Sequence, residues 1–113
     1  MKLQEFKLRL ISGLNNLIDD YFGSNNMTDK FINSTLKIMV KQNSGKVDGM
    51  LELFADENGY IDERIIIDEY SKMMGDNGIL FDLRDFIKND TIKSFLPNKA
   101  LVIKADDLRN IFT

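Results

Sequence analysis

The sequence predicts a mostly helical α+β protein, in which two long N-terminal helices precede a small unit with a short β-sheet and one or two further helices. Apolar residues recur at steps of three and four through the first half of the chain, which is the period of one helical face. Turn residues and short β-branched runs follow in the second half. With 113 residues, 43% of them hydrophobic, the chain is predicted to form a single domain, 1–113, made of a helical hairpin at 1–55 and an α+β unit at 56–113.

The first helix carries a regular apolar stripe and ends at the turn residues 23–26. The stripe consists of Leu3, Phe6, Leu10, Leu14, Leu17 and Tyr21. Leu3, Leu10 and Leu17 follow a strict seven-residue spacing. This spacing covers fewer than three heptads, which is short for an independent coiled coil. Packing on the second helix is the plainer interpretation, although both uses of the stripe are compatible. We predict that the stripe also forms a self-association surface.

The second helix is expected over 28–54, with Thr28 as its N-cap. Its apolar face is interrupted at Asn43, and the segment 43–45 is a weak point at which the helix is expected to kink or split. This gap would leave Phe6 or Leu10 of the first helix exposed. A dimer or higher oligomer is therefore expected.

The C-terminal unit is expected to begin with a third helix that Asp62 caps and Gly75 closes. Residues 79–83 are expected to start as a strand, and residues 84–95 are weakly helical in pattern. Residues 100–103 form a second apolar run with strand propensity.

An internal echo links two segments, since 58–62 and 98–103 both run from a turn through a short strand toward a helix cap. Asp106 or Asp107 would cap the helix behind the second segment. We expect the two short strands to pair, which would bury Ile61 close to the second strand. The other interpretation is coincidence, because this arrangement is common in α+β domains.

The loop between the second and third helices has the spacing of a calcium loop, with Gly59 at its sixth position and a positive φ expected there. Oxygen ligands would then come from Asp56, Asn58, the Tyr60 carbonyl and Asp62, while Phe54 and Ile65 occupy the first and twelfth positions. The segment thus resembles an EF-hand loop that has lost two decisive ligand positions. We predict a turn and a helix cap without a bound metal. Asp56, Asn58 and Asp62 remain the weak metal candidates.

Composition argues against several classes of function. The chain has no histidine and no cysteine, so the commonest general base and the strongest nucleophile are absent. No cofactor motif is present, and no cluster of Lys or Arg is dense enough to follow a phosphate backbone. No stretch approaches the ~20 apolar residues that span a bilayer, and residues 1–7 lack the apolar core of a secretory signal.

Two segments, Phe54–Asp62 and Leu96–Ile103, carry a further resemblance. With these segments, which cover about a third of the chain, the sequence resembles small uncharacterised proteins of phages and prophages from low-GC bacteria. The resemblance implies a virion component or a host-directed binding protein. The expected location is then the cytoplasm, or the virion if a phage encodes the chain.

Taken together, these patterns favour a non-enzymatic protein-interaction or assembly module. Its expected partner is a second copy of the chain or another protein, with no cofactor and no nucleic acid. A divalent-cation-binding module that uses the 56–62 loop is one alternative. A small enzyme that depends on carboxylates is the other.

Overall fold

A computed structural model of the chain confirms the predicted fold class: it is mostly helical, with two long N-terminal helices and a two-stranded sheet. The structure describes residues 1–75, 77–81, 83–86, 88–96 and 100–113. The elements are α1 (Leu3–Tyr21), α2 (Met27–Glu52), α3 (Glu63–Met74), β1 (Ile79–Phe81), a 3-10 turn (Leu83–Phe86), α4 (Asp90–Phe95), β2 (Leu101–Ile103) and α5 (Ala105–Ile111). Among the described residues, no helix is both long and apolar enough to cross a membrane.

The second helix starts one residue earlier than expected, and Asn26 caps it in place of Thr28. The Asn26 side-chain oxygen accepts a hydrogen bond from the Asp29 amide at 2.7 Å. This bond satisfies an amide that has no partner inside the helix. Ser24 also donates to the Asp29 carboxylate at 2.8 Å, which holds an acidic side chain in the first turn.

The expected split at residues 43–45 is wrong, because α2 is continuous from Met27 to Glu52. Polar side chains in this segment bond to carbonyls of their own helix. Asn43 Nδ2 donates to the Met39 carbonyl and Ser44 Oγ to the Lys41 carbonyl, both at 2.8 Å. These bonds give the two polar side chains partners without ending the helix, which the helix propensity of the residues alone did not indicate.

Both predicted strands form, but the pairing of the two echo segments is wrong. β1 pairs with β2 in antiparallel fashion, with Ile79 opposite Ile103. Tyr60 instead forms a bridge with Lys2, and the Ile61 amide donates to the Met1 carbonyl at 2.7 Å. The N-terminal residues therefore occupy the position that the second echo segment was expected to fill.

The third helix has the predicted ends, whereas the last helix is capped differently. Asp62 Oδ1 accepts from the Arg64 amide at 3.0 Å, and Gly75 ends α3 with a φ of 66°. In α5 the N-cap position is Lys104, so neither Asp106 nor Asp107 is the cap residue. The Asp107 carboxylate reaches back to the Lys104 amide at 2.8 Å, which still satisfies the helix start.

The buried side chains form two clusters that α1 joins. The larger one lies where α1, α2, α3, β2 and α5 meet and contains Ile18, Phe22, Ile32, Leu36, Ile67, Leu101, Ile103 and Leu108. The smaller one contains Phe6, Leu51 and Ile61. Gly13 lets α5 approach α1 closely, since a Cβ at this position would lie 2.5 Å from a side-chain carbon of Ile111. Ile61 thus belongs to the cluster that does not contain β2.

Candidate functional site

An apolar cleft of about 350 Å³ runs between α1 and α2. Its walls include Leu10 and Leu14 from α1 and Met39, Val40 and Val47 from α2, while Leu101 and Ile103 of β2 also line it. Leu10, Leu14, Met39 and Val40 are only partly buried and pack against the larger core cluster. The cleft is therefore an opening in the core between the two long helices.

Every polar side chain that lines the cleft already has a partner within the chain. Lys7 Nζ lies 2.7 Å from Asp48 Oδ2, and this ion pair links α1 to α2. Asn43 and Ser44 line the cleft too, but both donate hydrogen bonds to carbonyls of α2. The cleft consequently offers aliphatic surface and very little capacity for polar recognition.

The predicted apolar stripe of α1 divides between core and cleft. Phe6 is only 1% exposed, and its ring stacks on that of Phe112 with centroids 4.5 Å apart. Either Phe6 or Leu10 was expected to be left exposed. Phe6 is instead covered by Phe112, the C-cap residue of α5, and by the smaller cluster, while Leu10 is partly buried. Leu3 packs against the smaller cluster, and Leu17 and Tyr21 pack against the larger one.

Two members of the stripe, Leu10 and Leu14, line the cleft. The interruption that the sequence shows at Asn43 lies opposite them, since Asn43 lines the same cleft. Sequence reasoning did not include Ile11, Val40 or the Lys7–Asp48 pair in a site. The gap at Asn43 was the signal that could have located it, because a polar residue in an apolar face marks incomplete packing against α1.

The weak metal candidates are placed in a compact turn. Asp56 Oδ1 accepts from the amides of Asn58 at 2.9 Å and Tyr60 at 3.0 Å. Gly59 has a φ of 77°, which confirms the positive value expected for this position. The carboxylate of Asp56 thus stabilises the turn itself, in the manner of an Asx turn.

The Asp62 carboxylate is engaged by Arg64. Oδ1 accepts from the Arg64 amide, and Oδ2 lies 3.0 Å from Nη2 of the same residue. Hydrogen bonds from the Arg64 side chain, and then from its amide, lower the pKa of Asp62 below its ordinary value. Within the ranges that the structure describes, no three or more acidic side chains gather to form a metal-binding group.

Comparison of the chain with known proteins identified no relative. No family model matches the chain, and no match was found among curated proteins or solved structures.

Proposed function

We propose that the chain is a non-enzymatic protein-interaction module that receives apolar side chains of a partner protein in the cleft between α1 and α2. The observation that carries the proposal is the cleft itself, an aliphatic opening of about 350 Å³ between the two longest helices. Burying apolar surface there would stabilise a complex by roughly 25 cal/mol per Å² removed from water, before the costs of association.

The chemistry of the cleft favours a protein partner over a small substrate. A small-molecule site usually places a few free polar groups among its apolar walls, and these orient the ligand. Here Lys7, Asn43 and Ser44 are already bonded within the chain. Apolar anchors of a partner helix require no such orienting groups, because the partner's own backbone positions them.

The other hypotheses receive less support from the described residues. Asp56 and Asp62 satisfy their own turn and helix cap, so a cation would have to compete with those bonds. An assembly role would agree with the resemblance to phage proteins, in which case the partner would be a virion component or a host protein.

Site-specific photo-crosslinking tests the proposal. A photoreactive amino acid replaces Asn43, which lines the cleft, and the protein is produced in cells that naturally carry the gene. The matched control carries the same group at Met73 of α3, which is 71% exposed and does not line the cleft. We expect one defined protein to be crosslinked at position 43 and not at position 73.

A cleft-filling change provides the second arm of the test. Ser44→Phe would place a ring against the aliphatic walls and should abolish the specific crosslink while the protein stays folded. Identical products at positions 43 and 73, or crosslinking that Ser44→Phe leaves unchanged, would contradict the proposal.

A further inference from the structure

The outer side of α2 carries a second apolar face, turned away from the core. The residues Met27, Phe31, Ile38, Gly45 and Gly49 follow one another at steps of four and seven, and so lie along one line of the helix. Met27, Phe31 and Ile38 are 86%, 51% and 55% exposed. The cleft residues Leu36, Met39 and Val47 lie on the other side of α2. One apolar side of α2 packs against its own chain, and the second apolar side is left uncovered.

No steric reason for the two glycines on this face is found among the described residues. A Cβ at Gly45 or Gly49 would have no atom of the described part of the chain within 4 Å, and neither residue has the positive φ that favours glycine. Glycine in a helix interior lowers stability relative to alanine. Because glycine has no side chain, the two residues leave one turn of the helix without side-chain bulk on this face. A second helix can approach the backbone closely there.

One edge of this face is electrostatically self-complementary. Lys37 and Lys41 lie on it in the N-terminal part of α2, and Asp48 and Glu52 lie on it toward the C-terminus. The pair Lys37 and Glu52 and the pair Lys41 and Asp48 are both centred on the same point, midway between Ser44 and Gly45. A two-fold axis through that point would bring each lysine opposite an acidic residue of the second copy.

The charges on this edge are partly engaged and partly available. Lys37 Nζ forms an ion pair with Asp19 Oδ1 at 2.6 Å, and Asp48 Oδ2 forms one with Lys7 Nζ at 2.7 Å. Lys41 and Glu52 are exposed and form no ion pair with any described residue. Each pair across the axis would therefore join one available charge to one that the chain already holds in place.

From this geometry we infer that the outer face of α2 binds a second copy of the chain, with the two α2 helices antiparallel and crossing next to Gly45. In this register residues 37–52 of the two helices overlap, and Ile38 of one copy lies between Gly49 and Leu53 of the other, where Leu53 is 84% exposed. Met27 and Phe31 lie beyond the overlap and are not part of this interface. A parallel arrangement would instead place the lysine-bearing halves side by side. Rim charges of this kind select orientation more than they add affinity.

This dimer goes beyond the proposed function, because its face is centred on Gly45 and Gly49, neither of which lines the cleft. The two surfaces adjoin, since Ile38 and Lys41 line a shallow pocket together with Val40 and Ser44 of the cleft. The dimer would present two clefts and could bind a repeated partner twice. Bivalent binding increases apparent affinity without any new contact when both sites can be engaged together.

Single-cysteine crosslinking tests the orientation directly, since the chain contains no cysteine of its own. Gly45→Cys lies next to the proposed axis and should form a disulfide-linked dimer under mild oxidation. Met27 is also exposed, but the two copies of Met27→Cys would lie about 50 Å apart at 1.5 Å of helix rise per residue. Efficient crosslinking at position 45 and none at position 27 is expected, whereas crosslinking at position 27 would overturn the antiparallel arrangement.

Sedimentation equilibrium tests the surface itself. Ile38→Glu should convert the dimer to monomer, while Met73→Glu, a matched change at an exposed residue of α3, should leave the dimer intact. Circular dichroism would show that both variants remain folded. A monomeric parent protein at tens of micromolar, or a dimer that survives Ile38→Glu, would overturn the inference. Neither result would alter crosslinking at Asn43, so failure here is distinct from failure of the proposed function.

Discussion

The hydroxyl of Tyr70 donates a hydrogen bond to the carbonyl oxygen of Ile103 and thereby ties α3 to β2. The same hydroxyl accepts from the amide of Ile79 in β1 at 3.3 Å. One side chain thus bridges both strands of the sheet at the paired positions Ile79 and Ile103. Because the sheet, in the part of the chain that the structure describes, consists of two strands of three residues each, such a link matters more here than it would in a larger sheet.

Tyr70→Phe is expected to destabilise the fold by about 1–2 kcal/mol, since it removes a bridge between partly buried backbone groups. Burial raises the pKa of Tyr70 above its ordinary value of 10.0. The folded state therefore holds the phenol proton more tightly than the unfolded state. The stabilisation is fully present below about pH 10 and is lost as the pH rises through the folded pKa.

Urea unfolding between pH 8 and pH 11 would measure this dependence. Tyr60→Phe is the control, because Tyr60 is 47% exposed. We expect the parent and Tyr60→Phe to lose stability in parallel above pH 10 and Tyr70→Phe to show a smaller loss. If the free energy of unfolding fell equally steeply with pH in all three proteins, the ionisation of Tyr70 would not contribute to stability in this way.

Calcium at millimolar concentration is expected to leave the melting temperature unchanged. Asp56 already accepts two amide hydrogen bonds within its turn, and the first and twelfth loop positions are apolar. A ligand raises stability only by RT ln(1 + [L]/Kd), so weak binding produces no shift. Differential scanning fluorimetry with and without calcium would test this. A rise of several degrees that Asp56→Ala abolishes would instead establish a cation site in the loop.

Gly59→Val is expected to destabilise the protein by at least about 1–2 kcal/mol, because residues with a side chain disfavour positive φ. The φ of Gly59 is 77°, and no atom of the residues that the structure describes lies within 4 Å of a Cβ at this position. The cost would therefore come from the backbone rather than from a clash. Asn58→Val is the matched control, since Asn58 lies in the same turn without a positive φ. Equal denaturant midpoints for the two variants would contradict this explanation.

The sequence predicts local features better than it predicts which segments meet. The cap at Asp62 and the turn at Gly59 depend on neighbouring residues, and both were correctly anticipated. The pairing of the 58–62 segment depended on a competition between the C-terminal strand and residues 1–3. The N-terminal residues occupy that edge, and no periodicity in the sequence reports such a competition.

The candidate site was only half visible in the sequence for a similar reason. Asn43 indicated that α2 and α1 would pack incompletely, and the cleft does lie there. The burial of Phe6 could not be anticipated, because its stacking partner, Phe112, is more than a hundred residues away in α5's C-cap. Long-range contacts of this kind follow from the whole topology and not from one helical pattern.

Comparison of Phe6→Ala with Leu10→Ala would separate core from interface within the apolar stripe of α1. Phe6 is 1% exposed and stacks on Phe112, so its truncation should cost about 3–5 kcal/mol of folding stability at any protein concentration. Leu10 lines the cleft and is only partly buried, so Leu10→Ala should cost less than Phe6→Ala.

Denaturant unfolding at two protein concentrations provides the measurement. If the stripe were itself a self-association surface, the loss on Leu10→Ala would grow with protein concentration, because an interface stabilises the fold by mass action. Leu10→Asp would then yield monomer or aggregate. We expect the loss of folding stability caused by Phe6→Ala to be independent of protein concentration. A residue buried by its own chain stabilises monomer and dimer equally. If the loss of folding stability caused by Phe6→Ala depended on protein concentration, the whole apolar stripe of α1 would belong to a self-association interface.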